Sequence, residues 1–536
     1  FGFGAYLLEH IQSKITVDNL WRIYLKEYEN MLYSTEKMLS VAALSGYKAD
    51  TKELYEAQKA LLLSEFHDTL PGSCIEDGEA NALELLNYCK KVCRDYRTNA
   101  FMYLTAGEPV AQEGEFPIYV FNPMPYEITT PVEAEYMLAN QNWSEEFCYS
   151  SVVYCGDTKI ESQEIQEESF MNLDWRKKVI FNARLKPMSI TRFSIFSEKK
   201  PCSMKFEKQA VEANISKFIS GTILKDEAVL EMYEDTADPW GMSNEQQKKL
   251  GTNEKAFTLS KTPSGVFKNM KSIQVIEDGD IFLGIEAFFE HENTKAVIKY
   301  KIYKLNDDVD IDVTLFMGDI EKAIKLKVPV EVKGTLIGQT AFGTEELFTD
   351  ARENVSLRFI GVESNNKTLA LINNGTYGSH FENDALYISL VRGVTYCAHP
   401  INDRQLIPND RFTKKIDQGE NNFSFRLTVT DTSKLERKAQ EFTQKPYAIN
   451  LFPVPSSDKE KEFSVSLGDD IISLVTMKKA DGKNATIFRL LNNSDEEIKT
   501  SISVNSIILP LQFTKYEVKT VVYENGELRE EYGLII

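Results

Sequence analysis

The chain has 536 residues, 42% hydrophobic and 11% aromatic, enough for three or four domains at about 150 residues each. Its net charge of −20 argues against binding built on phosphate neutralisation, which draws on Lys and Arg, so no nucleic-acid partner is expected. No apolar run approaches the roughly 20 residues of a membrane-spanning helix, and no membrane partner is expected either. Seven cysteines without regular spacing do not make a disulfide framework. These features point to a reducing cytoplasm, with the reservation that a sequence starting at Phe1 would not display a targeting segment.

The first hundred residues carry helical periodicity. From Leu20, the residues Tyr24, Tyr28, Met31, Met38 and Ala42 recur at spacings of three, four or seven and predict one buried face. Gly46 suits the left-handed end of that helix. Asp50 or Thr51 is placed to cap a second helix carrying Leu54, Ala57 and Leu61. Ser73 and Glu76 have the S-x-x-E spacing of a capping box, which opens a third helix with Ala82, Leu85, Cys89, Val92 and Tyr96 on its seam. Cys89 and Cys93 read as buried filler.

From about Phe116 the period drops to two. "DVDIDVTLF" (Asp308 to Phe316) and "IKLKVPVEV" (Ile324 to Val332) each predict a strand with one wet face, and Asn306-Asp307 is placed to close a hairpin before the first. Long helical patterns do not return. The fold class is therefore α+β, an N-terminal three-helix bundle followed by large antiparallel β-sandwich domains. Seams near Ser197–Ser203 and Ala439–Ala448 divide it into a bundle (1–108), a small β domain (109–203), a large β super-sandwich (204–438) and a C-terminal β domain (439–536).

Three stretches carry candidate chemistry. Asp308, Asp310 and Asp312 imitate the start of a calcium loop, which needs Gly at its sixth position and Glu at its twelfth. Those positions are Val313 and Asp319, so the pattern reads as the solvated face of a strand. "YEDTADPWGMS" (Tyr233 to Ser243) gathers Glu234, Asp235 and Asp238 beside Trp240, either a sugar-binding loop or a polar loop anchored by one tryptophan. "LLLSEFHDTLPGSCIEDGEA" (Leu61 to Ala80) sets His67 and Asp68 where a helix stops. A neutral imidazole there is a good zinc ligand. The alternative is a histidine serving the last helical carbonyls, with Asp68 organising the turn.

"LLLSEFHDTLPGS" closely resembles the HD-x-L-P-G-S segment of glycoside hydrolase family 38, the retaining α-mannosidases. "YLLEH" (Tyr6 to His10), "YVFNPMPYE" (Tyr119 to Glu127), "DPWGM" (Asp238 to Met242), "FGTEE" (Phe342 to Glu346) and "LALINNGTYG" (Leu369 to Gly378) resemble further landmarks of that family, in the same order. The resemblance implies the family's central helical and C-terminal parts, with a galactose-mutarotase-like super-sandwich. It implies His67 as a zinc ligand, Asp68 as a contact to the sugar, and a mannose-containing oligosaccharide as substrate, with Trp240 a further candidate for substrate binding. In the family an N-terminal α/β domain supplies an H-x-D pair and the aspartate nucleophile. Here the residues two after the histidines are Gln12, Thr69, Asn293, Glu382 and Ile401, so no H-x-D occurs and no catalytic residue is assigned.

The chain alone is therefore expected to bind zinc poorly and to hydrolyse mannosides negligibly. Without an α/β partner, the bundle is expected to show an apolar face near residues 60–75 and to self-associate, which makes a homo-oligomer a further expectation. Two other readings stay open. One is a non-catalytic carbohydrate-binding or scaffold protein of the same architecture. The other is a mutarotase-like enzyme, which needs a carboxylate beside His291, His380 or His399.

Overall fold

The computed structural model describes residues 20–70, 72–166, 174–201, 230–235, 263–267, 270–306, 308–330, 332–396, 412–454, 464–480 and 482–532. Three helices open it: α1 (Leu20–Leu44), α2 (Lys52–Ser64) and α3 (Glu76–Thr105). Tyr28, Met38 and Ala42 on α1 are buried, and Met31 is half-buried. Gly46, at φ +100°, closes α1. The Tyr47 N–H reaches the Ala42 carbonyl at 2.9 Å and the Gly46 N–H reaches that of Ala43 at 3.0 Å. This paired arrangement satisfies carbonyls that the helix itself leaves open. Thr51 is the N-cap residue of α2 and its side chain makes no capping bond, while Asp50 Oδ1, one residue earlier, takes the first helical N–H, that of Lys52, at 3.0 Å; Leu54, Ala57 and Leu61 are buried.

The expected capping box at Ser73 and Glu76 does not form. The residue preceding α3 is Ile75, and the Ser73 hydroxyl donates back to the Asp68 carbonyl at 3.4 Å. Ser73 belongs to the preceding turn, while Glu76, Asp77 and Glu79 complement the helix dipole from the first turn. The buried seam runs through Ala82, Leu86, Cys89, Val92 and Cys93, with Leu85 half-buried beside it. The two cysteines are fully buried thiols with sulfurs 3.9 Å apart.

The bundle shares its apolar core with another part of the chain. Leu32, Leu39 and Phe101 pack in one cluster with Leu474, Phe488 and Phe513. Those partners belong to the C-terminal β domain, a four-stranded and a three-stranded sheet. Between lie the other β units. The small β domain pairs a five-stranded sheet with a three-stranded one over Ile118, Val132, Phe181 and Phe193. Its edge strand is Tyr447–Asn450, so the chain returns to this domain after the short helix α4 (Leu435–Thr443). The large sandwich faces a nine-stranded sheet with a six-stranded one. Every described strand pairing is antiparallel, as the period-two patterns require. Among the described residues, no helix is long and apolar enough to cross a membrane.

Strands Thr294–Tyr303 and Val309–Met317 form the expected hairpin, with the Tyr303 N–H on the Asp308 carbonyl at 3.2 Å. Asp307 itself lies outside the described residues. Two of the expected wet faces are covered. Asp308 and Asp310 are buried, not solvated: Arg426 pairs with Asp310 at 2.6 and 2.9 Å, and Lys438 reaches Asp308 at 3.1 Å. Lys325 is also buried, because its strand (Lys322–Pro329) is central in the six-stranded sheet and both of its faces are covered. Alternation shows which residues share a face, but it is silent on what the second face meets.

Candidate functional site

The α2–α3 connection is a tight turn that lifts two side chains off the bundle. Helix α2 ends at Ser64, and the Glu65 and Phe66 N–H groups bond back to Leu62 and Leu63 at 3.2 Å each. The Phe66 carbonyl then accepts from Thr69 and Leu70, both at 2.8 Å. Gly72, at φ +73°, turns the chain toward α3, a conformation that costs a residue without Cβ little. Between these bonds His67 and Asp68 project outward, their side chains 49% and 45% exposed, with Nε2 and Oδ2 3.6 Å apart. The Phe66 ring lies 4.1 Å from the imidazole, centroid to centroid. Among the described residues neither imidazole nitrogen is taken by a main-chain carbonyl, so the ring does not serve the end of the helix.

The turn is collared by apolar side chains in contact with water. Leu62, Leu63, Phe66 and Ile75 are 42%, 60%, 50% and 59% exposed. On the other side of the turn, Glu65 and Leu70 line a cavity of about 590 Å³. Lys26 and Glu29 of α1 form part of its wall, as do Phe342 of "FGTEE" and Tyr377 of "LALINNGTYG". Asn30 donates to Asn374 of that second stretch at 3.2 Å. Three landmarks distant in sequence therefore meet at one place. His67 and Asp68 stand beside this cavity and do not line it.

Glu65 was not singled out from the sequence. Burial, and then the Glu29 carboxylate, push its carboxyl up to about 7. The signal available was its position four residues after buried Leu61, on the same helical face. The other wall residues come from α1, from α4 and from distant strands and turns, whose convergence no local pattern encodes.

The remaining candidates separate clearly. Trp240 and Asp238 lie outside the described residues, as do His10 and His399. Asp235 is buried in an ion pair with Arg392, and Glu234 pairs with Lys322, so neither carboxylate is open to a ligand. His380 does approach a carboxylate, Glu353, at 3.8 Å. Its Nδ1 accepts from Lys325 at 2.9 Å, and its ring stacks on Tyr387 at 4.5 Å. Burial, reinforced by the Lys325 ammonium, drives its pKa down to about 2. Such an imidazole is too weak a base to take a proton near neutrality. His291 sits beside Phe267, with Glu292 at 4.0 Å as its nearest acid.

The described residues thus form a helical bundle that shares its core with antiparallel sandwiches and bears an exposed His-Asp turn. Residues 21–114 match the α-mannosidase middle domain, and residues 215–408 match the glycosyl hydrolases family 38 C-terminal domain. The chain belongs to glycoside hydrolase family 38. Its fold is similar to the crystal structure of a protein in glycosyl hydrolase family 38 from Enterococcus faecalis, at TM-score 0.76 and 12% identity, over 95% of this chain and 70% of that one. It is similar also to an α-mannosidase from Enterococcus faecalis V583, at TM-score 0.72 and 12% identity, over 95% of this chain and 68% of that one. Comparison with curated proteins returns no match.

The zinc ion that the family implies needs about three protein donors and an open position. His67 Nε2 and Asp68 Oδ2 are spaced as two donors on one ion would be. Among the described residues no group of three or more His, Cys, Asp or Glu side chains forms around them or elsewhere.

Proposed function

We propose that this chain is the central and C-terminal portion of a retaining α-mannosidase that removes terminal α-mannosyl units from oligosaccharides. His67 serves as one zinc ligand and Asp68 as a contact to the sugar. The remaining zinc ligands and the carboxylate nucleophile come from an α/β domain seated on the turn. The observation that carries this reading is the HD turn itself. A hydrogen-bonded turn holds an imidazole and a carboxylate outward, free of main-chain partners, inside an apolar collar. Exposed apolar side chains of this size are costly in water and are usually covered by another surface. An α/β domain is the favoured cover because about 30% of the length of the Enterococcus faecalis family 38 structure falls outside the match, which covers 70% of that chain.

When bound, zinc would supply Lewis-acid polarisation and a template for the sugar. What this chain contributes is position: the turn holds both side chains outward, beside the cavity that Glu65, Phe342 and Tyr377 line. Retaining hydrolysis takes two carboxyl groups about 5–5.5 Å apart, and in this reading the nucleophile comes from the α/β domain. The test is turnover of an aryl α-mannoside by the 536-residue chain, alone and combined with the α/β domain of a family 38 mannosidase. We expect negligible turnover alone, turnover in the combination, and its loss with His67→Ala. Full activity of the chain alone, or a His67→Ala combination as active as the parent, overturns the reading.

A further inference from the structure

A second cavity lies where the bundle meets the C-terminal β domain, at the opposite end of α2 from the HD turn. It has a volume of about 620 Å³, within the ordinary range of small-ligand sites, roughly 300–1,000 Å³. Its origin can be traced through register. Met477, Phe488 and Val521 stand in one cross-strand row packed against the bundle. Two residues further along, Lys479, Thr486 and Tyr523 form the next row on that same face. Helix α1 stops at Leu44, so this row overhangs the α1–α2 turn.

Both walls are firm. On one side the Tyr47 ring packs on Tyr103 at 4.9 Å, and the Tyr103 hydroxyl donates to the Ser45 carbonyl at 3.0 Å. On the other, Asn525 and Gly526, at φ +52° and +82°, make a tight hairpin turn. Lys48 and Lys479 line the cavity, and among the described residues neither side chain has a hydrogen bond or ion pair; Lys478, on the other face of its strand, contributes no ammonium group. Glu36 is the one carboxylate of the lining, against the ammonium groups of Lys48 and Lys479. Tyr47, Tyr55 and Tyr523 add aromatic surface, while Gln58, Asn484 and Thr486 add neutral hydrogen-bonding groups.

We infer that this cavity binds an anionic saccharide. The unpaired ammonium groups take a phosphate or carboxylate substituent, and the tyrosines and amides take the ring. Lysine is a point-charge partner for such groups and imposes no bidentate geometry. The aromatic surface suits the apolar face of a pyranose.

The test is calorimetric titration of the intact chain with mannose 6-phosphate, glucuronate, inorganic phosphate and mannose. We expect one or both charged sugars to bind, whichever binds tighter identifying the anionic group, and binding to weaken as salt rises. Mannose should give no heat, and inorganic phosphate should bind at least tenfold more weakly than mannose 6-phosphate. Lys48→Gln and Lys479→Gln, both exposed substitutions, should each lower affinity by about tenfold, and His67→Ala should leave it unchanged. That last variant separates this site from the mannosidase reading. No binding of either charged sugar, equal binding by both lysine variants, or phosphate as tight as the sugar phosphate overturns the inference.

Discussion

Two histidines of this chain stand beside carboxylates at nearly the same distance. His67 lies 3.6 Å from Asp68, and His380 lies 3.8 Å from Glu353. Their surroundings are opposite. The first pair projects from a turn into solvent inside an apolar collar. The second is buried on a strand (Gly378–Glu382) second from the edge of the six-stranded sheet, with Lys325 on one imidazole nitrogen and Tyr387 stacked on the ring. Burial turns the second pair into structure, since an imidazole held neutral down to about pH 2 neither accepts protons nor admits a ligand. Proximity of acid and imidazole is thus a poor guide to chemistry, and access decides.

The largest expected effect breaks the comparison on the buried side. Glu353→Leu leaves the Lys325 ammonium without its carboxylate, and a stranded buried charge costs about 3–5 kcal/mol. The readout is the urea midpoint of the sandwich; a loss under about 1 kcal/mol would mean the pair is not the structural clamp described.

Lys37 sharpens the point, because it is fully buried and among the described residues only the Gln444 amide oxygen accepts from it, at 2.7 Å. Burial, and then Arg358, lower its pKa from 10.5 to about 7. Between those values the unfolded chain carries a proton that the folded chain has released, so stability rises with pH across pH 7–10.5. Lys37→Met should stabilise by about 1–2 kcal/mol at pH 7, after the loss of Gln444's partner. The gain should shrink toward pH 10 in thermal melts.

Glu65, next to the exposed pair, has the opposite dependence. Its carboxyl is raised from 4.5 to about 7, so the folded chain keeps a proton that the unfolded chain gives up. Its contribution is complete below pH 4.5 and is lost as pH rises through 7. Glu65→Gln should flatten that slope and stabilise by about 1 kcal/mol at pH 8, a figure reduced for a half-buried group screened by water.

Smallest of all is the effect of His67→Ala on stability, within about 0.5 kcal/mol, as for exposed positions in general. Leu63→Ser with Phe66→Ser should be equally neutral for folding. In sedimentation velocity, however, the pair should reduce any self-association of the chain, since both side chains belong to the exposed collar.

Much of the molecule was legible along the chain. The end of α1 at Gly46, the Asp50 bond to the first N–H of α2, and the buried positions Leu54, Ala57 and Leu61 all follow from spacing and backbone preference. The HD turn was legible as a helix end followed by Pro-Gly, and the order of the landmarks as a family resemblance. The covered faces were not. Asp308, Asp310 and Lys325 have the alternation of one-sided strands and are buried, because Arg426, Lys438, Glu353 and His380 arrive from distant segments. Ser73 matched a capping box and was used instead to hold the turn.

Local sequence determined the helices, the turns and the period-two strands, because spacing and backbone preference act over a few residues. It also placed the one imidazole that the HD turn presents. Tertiary structure decided which charges meet water, which landmarks share a cavity, and which face of the C-terminal sheet overhangs the bundle. Burial and electrostatic pairing depend on neighbours hundreds of residues away, and no local pattern encodes those.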